Sequence, residues 1–442
     1  MAAKDNGKRL ASIVVEGFKS LKNETKLELR PLTLLAGANG SGKSSIMQPL
    51  LLLKQTLEAS YDPGPLLLNG PNVRFTAFDQ LLWRPANEGK IARHFEFQVK
   101  GDDEDICSWF SKGRRGIEIK KQRSSFRLVP SMVDPKGSVL KLELRPNTSR
   151  DDLAKQGFGV DEAFFHGSAP GSGIQRNRCF LHMGSLVGER RVFFGLPVLQ
   201  SIPEGIQNVI HLPGLRGNPA RSYNVASAGP GFPGIFTEYV AGIVAFWKNE
   251  KDTRLDDLGN NLQRLGLSWK VDVSPIDETQ VELKVGRLVS PYKNHGTDMV
   301  NIADAGFGLS QTLPVVVALL QARKGQIVYL EQPEIHLHPR AQLAMAELIA
   351  DAAKRGVIVV AETHSQFLLW GIQRLIAQDK LDPNLVNLNW FERGPDGVTK
   401  VTAKDLDSTG DLGDWPEDFG QISLEVQDDF LKAFSKKAQS SR

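Results

Sequence analysis

The sequence predicts an α/β fold: a largely parallel sheet flanked by helices, carrying a phosphate-binding loop and interrupted by a large antiparallel β-rich and helical insertion. Three observations predict it. Gly37-Ala38-Asn39-Gly40-Ser41-Gly42-Lys43-Ser44 fits G-x-x-x-x-G-K-[ST]. From Asn301 onward, apolar helix-like and strand-like runs alternate, as in a parallel sheet. Between these regions, short strand-like runs are separated by loops rich in charge and glycine.

The elements follow in order. Leu10 to Leu21 reads as a strand and turn, and Lys26 to Leu29 as a second strand. Leu32 to Leu35 leads as a buried strand into the loop, and Ser44 to Glu58 reads as an amphipathic helix. Residues 60 to 74 are rich in Pro, Gly and Asn and mark a boundary. Strand-like runs follow at His94 to Val99, Ile117 to Ile119, Phe126 to Val129, Val139 to Leu144 and Phe180 to Met183. Ser227 to Gly234 is a Gly/Pro/Ala loop. Helices are expected at Thr237 to Trp247 and Leu255 to Leu265, and a two-strand unit at Trp269 to Val285. The helix Thr312 to Ala322 precedes a buried strand at Ile327 to Leu330, and a strand from Val357 ends in the polar turn at Glu362 to Ser365. The division expected is a split head over 1–60 and 298–395, a β-rich insertion over 61–233, a helical and hairpin segment over 234–297, and a C-terminal cap over 396–442.

Composition is that of an ordinary globular protein, at 41% hydrophobic and 24% charged. No run is long and apolar enough for a membrane span, and no secretory h-region opens the chain. Only Cys107 and Cys179 are present, so a disulfide framework is not expected and the reducing cytoplasm is the default setting. A net charge of +3 is too small to argue for nucleic acid.

The loop carries the chemistry. Glycines let it wrap so that backbone N–H groups of Gly37, Asn39, Gly40, Ser41, Gly42 and Ser45 face phosphate oxygens, helped by the helix N-terminus. Lys43 would reach the β/γ-phosphates and Ser44 would hold Mg²⁺. Such a loop needs an acidic metal partner on another buried strand, and Glu331, closing Ile327 to Leu330, is the candidate.

With these pieces in place, the chain resembles ABC-type ATPase heads of the SMC, RecF and OLD kinds. It resembles more closely the prokaryotic AAA-type ATPases with a Glu-Gln-Pro-Glu-x-His-Leu-His-Pro motif, here Glu331 to Pro339. The specific motifs cover residues 10 to 60 and 298 to 395. His211 to Arg216, Arg221 to Tyr223 and Trp415 to Phe419 look like further pieces of that group, the last as a small C-terminal domain. The resemblance implies ATP as ligand and ATPase activity, with Lys43 and Ser44 as Walker A residues and Glu331 as the Walker B metal carboxylate. It places Ser310 and Gln311 in the signature, where one subunit caps the γ-phosphate held by another, and so implies a homodimer or higher oligomer. It makes His364 the switch histidine. The departure is Gln332, where ABC ATPases carry a catalytic Glu. An amide cannot accept the proton, so Glu334 is the replacement candidate, and the departure leaves two expectations open, slow turnover or a mainly ATP-holding dimer clamp.

Other residues have blander readings. His336 and His338 read as a bonded pair at a helix start rather than a metal site. Lys112, Arg114, Arg115, Lys120, Lys121 and Arg123 could track a nucleic-acid backbone or form a solvated strand face. Arg216 and Arg221 suit either an anion clamp or loop structure. The function expected is an ATPase regulating an effector, such as a nuclease or toxin, in DNA maintenance or antiviral defence. The alternative is an OLD-like nuclease or RecF-like repair ATPase acting on DNA itself. The short stretch after His364, with only Asp411 and Asp414 in a Gly-rich loop, argues against a nuclease domain. A transporter subunit fits the large insertion and the basic tail Lys432 to Arg442 poorly.

Overall fold

The computed structural model describes residues 9–85, 91–114, 116–127, 139–157, 173–187, 190–194, 201–225, 231–290, 298–413, 428–432 and 434. Arg115, Asp414, the Trp415 to Phe419 motif, most of the helix expected at Ile422 to Phe434, most of the basic tail, and part of the Ser227 to Gly234 loop lie outside these residues.

Five largely apolar strands build the centre of the head. Ile210–Leu212, Ile327–Glu331, Ile358–Thr363, Leu32–Gly37 and Val386–Arg393 lie side by side in that order and parallel, and Thr399–Lys404 closes the sheet antiparallel. Side chains alternate between the faces. Leu32, Leu34, Val328, Leu330, Val359 and Ala361 enter one core, beneath helices Val240–Asn249, Phe307–Gln321, Pro339–Lys354 and Gln366–Ala377. Leu35, Ile327, Tyr329, Ile358 and Val360 enter the other, against the phosphate-loop helix Lys43–Glu58. Burial on both faces is why these strands read as unbroken apolar runs.

The second core is roofed by a six-stranded antiparallel sheet. Its order is Thr25–Glu28, Leu10–Glu16, His94–Gly101, Glu104–Gly113, Gly116–Arg127 and Val139–Leu144. The boundary expected at residue 60 therefore cuts through a sheet, because Leu10–Glu16 pairs with His94–Gly101. The boundary-like loop at 60 to 74 is also pinned to the head. Gln55 donates to the carbonyls of Leu67 and Val73, and its Oε1 accepts from the Val73 N–H at 3.0 Å. The head sheet itself borrows Ile210–Leu212 from the expected insertion and Thr399–Lys404 from the expected cap.

Other elements depart from expectation. Ile117 to Ile119 and Phe126 to Arg127 are parts of one strand, Gly116–Arg127, and Leu128 and Val129 of the run expected there lie outside the described residues. Glu104–Gly113, Gly173–Asn177 and Arg190–Phe194 are strands where the sequence pattern predicts loops, and Ser201–Gln207 is a helix that the pattern does not signal. The helix expected from Thr312 starts five residues earlier, at Phe307.

Candidate nucleotide site

The phosphate loop joins strand Leu32–Gly37 to helix Lys43–Glu58. Two glycines are demanded by packing as well as by backbone. At Gly37, with φ 147°, a Cβ would lie 2.2 Å from the Phe391 carbonyl oxygen. At Gly42, with φ 102°, it would lie 2.6 Å from both Ser20 Oγ and Thr399 Oγ1. Lys43 is buried, and its ammonium donates to the carbonyls of Gly37 at 3.0 Å and Ala38 at 2.8 Å. Burial lowers its pKa, against the opposing charges of Glu362 and Glu334.

Three strand ends meet behind the loop. Glu331 and Glu362 are register partners on adjacent parallel strands. Glu362 Oε1 accepts from Ser44 Oγ at 3.0 Å, and its Oε2 accepts from the buried Tyr329 hydroxyl at 3.0 Å. Burial raises the Glu362 pKa. Glu331 turns instead to the loop after Ile210–Leu212. Its Oε1 lies 3.1 Å from His211 Nε2, and its Oε2 accepts from the Gly214 N–H at 3.1 Å. Burial pushes the Glu331 carboxyl up, but those bonds and the Arg216 charge outweigh it and leave the pKa below its ordinary value. The carboxylate that meets Ser44 is thus Glu362. Glu331, expected to hold Mg²⁺ through water, turns its carboxylate to His211 and Gly214. The sequence reading passed over Glu362 because it looks like the start of a polar turn.

Gln332 follows with φ 46°, a left-handed conformation uncommon for a non-glycine residue, and its N–H donates to the Glu362 carbonyl at 2.8 Å. Glu334 is buried. Its Oε1 accepts from Thr363 Oγ1 at 2.6 Å and the His364 N–H at 3.0 Å, while Oε2 has no hydrogen-bond partner among the described residues. Burial raises its pKa. Burial and the nearby Lys43 charge lower that of His364, favouring neutral imidazole. Two cavities, of about 720 and 690 Å³, share Asn39, Gln332 and His364. The first is lined by Gly37, Glu334, Ser365 and Phe367, among others. The second is lined by Gly40, Gly42, Lys43, Ser44, Ser45 and Glu362, with the cationic side chains Lys19, Arg84 and Arg393. Cations therefore outnumber carboxylates around the second cavity, which suits an anion.

Ser310 and Gln311 are brought to neither cavity. They lie in the first turn and a half of helix Phe307–Gln321 and are buried. Ser310 Oγ donates to the Phe307 carbonyl at 3.0 Å, and Gln311 Nε2 to the Gly217 carbonyl at 2.7 Å. Because the helix begins before the expected Thr312, Gly306 is its N-cap and exposed Phe307 leads it, so Ser310 and Gln311 lie inside the helix rather than at its cap. The run Gly306-Phe307-Gly308 reads as loop in sequence, but Phe307 packs edge-on against His336 at 4.7 Å.

Most of the remaining candidates have partners within the chain. Arg216 is an internal clamp, donating to the carbonyls of Gln311, Glu331 and Gln332, and burial pushes its pKa down to about 10. Arg221 grips Asp304 through two bonds of 3.1 and 2.7 Å. His338 caps helix Pro339–Lys354, and no metal-binding cluster of His, Cys, Asp and Glu occurs among the described residues. Within the basic cluster, Lys112 pairs with Asp79 and Arg123 with Glu143, and Lys121 lies over Trp109. No helix among the described residues is long and apolar enough to cross a membrane.

Comparison with known proteins falls on the same residues. Residues 9–159 match the family described as "AAA ATPase domain". Residues 237–369 match that described as "AAA domain, putative AbiEii toxin, Type IV TA system". No curated protein matches the sequence. Among solved structures, the chain is similar to an SMC head bound to the C-winged helix domain of ScpA, at 14% identity and TM-score 0.47, over 90% of this chain and 98% of that one. It is also similar to the SMC head domain from Thermotoga maritima, at 11% identity and TM-score 0.37, over 90% and 99%. A third likeness is to an SMC head with an extended coiled coil bound to the C-terminal domain of ScpA, derived from Pyrococcus furiosus, at 12% identity and TM-score 0.44, over 90% and 96%. The first family match spans the phosphate loop and the second spans Phe307 to His364, so the chain carries AAA-type ATPase sequence on both halves of its candidate nucleotide site.

Proposed function

We propose that this chain binds ATP at the phosphate loop and hydrolyses it slowly. It works as a homodimer or higher oligomer and uses the cycle to sense or regulate a protein effector, such as a nuclease or toxin, in DNA maintenance or antiviral defence. The observation that carries the reading is the convergence of Lys43, Ser44, Glu362, Gln332 and His364 on one cationic cavity at the head of a buried helix. The donors beside Ser44 are hard oxygens, which suits Mg²⁺. Ser44 with the strand-end carboxylates would hold the ion, which when bound would neutralise charge on the phosphates.

The chain's own residues would act as follows. Lys43 exchanges its carbonyl partners for β/γ-phosphate oxygens. Gln332 orients the attacking water. Glu334, with one oxygen already committed to Thr363 and His364, accepts the water's proton on the other, and His364 contacts the γ-phosphate. Water adds to the γ-phosphorus as its bond to the bridging oxygen breaks and ADP leaves. Isothermal calorimetry tests the assignment: Lys43→Ala is expected to weaken ATP binding at least about tenfold. Unchanged affinity would remove the reading.

A further inference from the structure

We propose that Glu362, rather than Glu331, is the carboxylate that a phosphate-bound divalent cation meets beside Ser44, and that Glu331 is a positioning residue for the loop carrying His211 and Gly214. The inference rests on the ATPase reading above and reassigns two roles within it.

Sheet order comes first. Strand Ile358–Thr363 is the immediate neighbour of the phosphate-loop strand, whereas Ile327–Glu331 lies one strand further out. Each step across a sheet is about 4.8 Å, so the two carboxylates differ by that spacing in reach toward the loop. Contacts agree. Ser44 Oγ is 3.0 Å from Glu362 Oε1, and Glu362 lines the cavity that Lys43 and Ser44 line, whereas Glu331 lines neither cavity.

The partners of each acid complete the argument. Both Glu331 oxygens are engaged, by His211 Nε2 and the Gly214 N–H. Arg216 from the same loop donates to the Glu331 main-chain carbonyl at 2.8 Å. Removing Glu331 from this set would leave the Nε2 of the buried His211 imidazole, whose Nδ1 meets Asn72, and the Gly214 N–H without partners. Glu362 has a different support. The wholly buried Tyr329 hydroxyl holds its far oxygen and so aims the near one at Ser44. Such outer partners commonly set the orientation of a metal-facing carboxylate.

The test reads metal binding directly. Mn²⁺ is titrated into the full chain with a non-hydrolysable ATP analogue, and free Mn²⁺ is followed by electron paramagnetic resonance. Glu362→Gln is expected to weaken Mn²⁺ at least about tenfold, while analogue binding in EDTA is retained. Glu331→Gln is expected to keep Mn²⁺ affinity within about threefold and to speed amide exchange over residues 211 to 216. Tyr329→Phe keeps the ring, removes only the aiming hydroxyl, and should weaken Mn²⁺ by about threefold or more, which covers the case of an unfolded Glu362→Gln. The reverse pattern, equal weakening by Glu331→Gln and Glu362→Gln, or unchanged affinity in Tyr329→Phe would each overturn the inference. If the unaltered chain takes up no analogue, the ATPase reading itself fails, a result separate from all of these.

Discussion

In the proposed cycle, Glu334 and Gln332 would divide between them the work of a single catalytic Glu. Glu334 is held by Thr363 and His364 on one oxygen, and the other has no hydrogen-bond partner among the described residues. Glu334→Gln should lower kcat by roughly 10²-fold with ATP binding kept, the lower range for loss of a general base. Gln332→Glu should preserve or raise turnover. Steady-state phosphate release checks both, and full activity in Glu334→Gln would move water activation to His364 or to the substrate phosphate. A second residue-scale case is structural. Lys54 is wholly buried, paired with Glu58, and donates to the carbonyls of Gln207 and Phe232 at 2.8 and 3.3 Å. Lys54→Met strips partners from a largely buried carboxylate and two carbonyls. Urea unfolding should report a loss of about 3 to 5 kcal/mol, and Lys54→Met with Glu58→Leu should recover much of it.

At the scale of elements, the loop and its strand act as one unit. Gly37→Ala forces a Cβ into the Phe391 carbonyl of the neighbouring strand at a φ that alanine disfavours. It should weaken ATP binding at least about tenfold by calorimetry and lower Tm. At Gly40 nothing lies within 4 Å of the added Cβ, so Gly40→Ala meets only the strain of its φ of 73°. Its Tm should fall less, and equal losses would sink the packing argument. The central strands were legible because burial on both faces leaves an unbroken apolar run, as in Val357 to Ala361. Strand Glu104–Gly113 was not legible. Its inward set includes Glu104 and Ser108, so the alternation that marks a half-buried strand is blurred. The start of helix Phe307–Gln321 was missed for a related reason: two glycines flank Phe307, and local chemistry there reads as a turn.

Across the whole molecule, the proposed oligomer makes the signature helix a meeting point between copies. Ser310 is too buried to probe this without disturbing the core, but Phe307 is 46% exposed at the helix start. Phe307→Arg, made in the slow Glu334→Gln background, should leave ATP binding by calorimetry unchanged. It should reduce ATP-dependent association measured by light scattering. Undiminished association would remove this helix from the interface. The sequence by itself determined the phosphate loop, the α/β class, and the approximate ends of the strands that finish at Glu331 and just before His364, because each is encoded in contiguous residues. Only the tertiary structure decided which acid meets Ser44, that Glu331 locks to His211, and that the first strand of the chain belongs to the same sheet as Val139–Leu144. The physical reason is separation along the chain: Ser44 and Glu362 are 318 residues apart, and the contact between them is set by strand order and register, which local pattern does not encode.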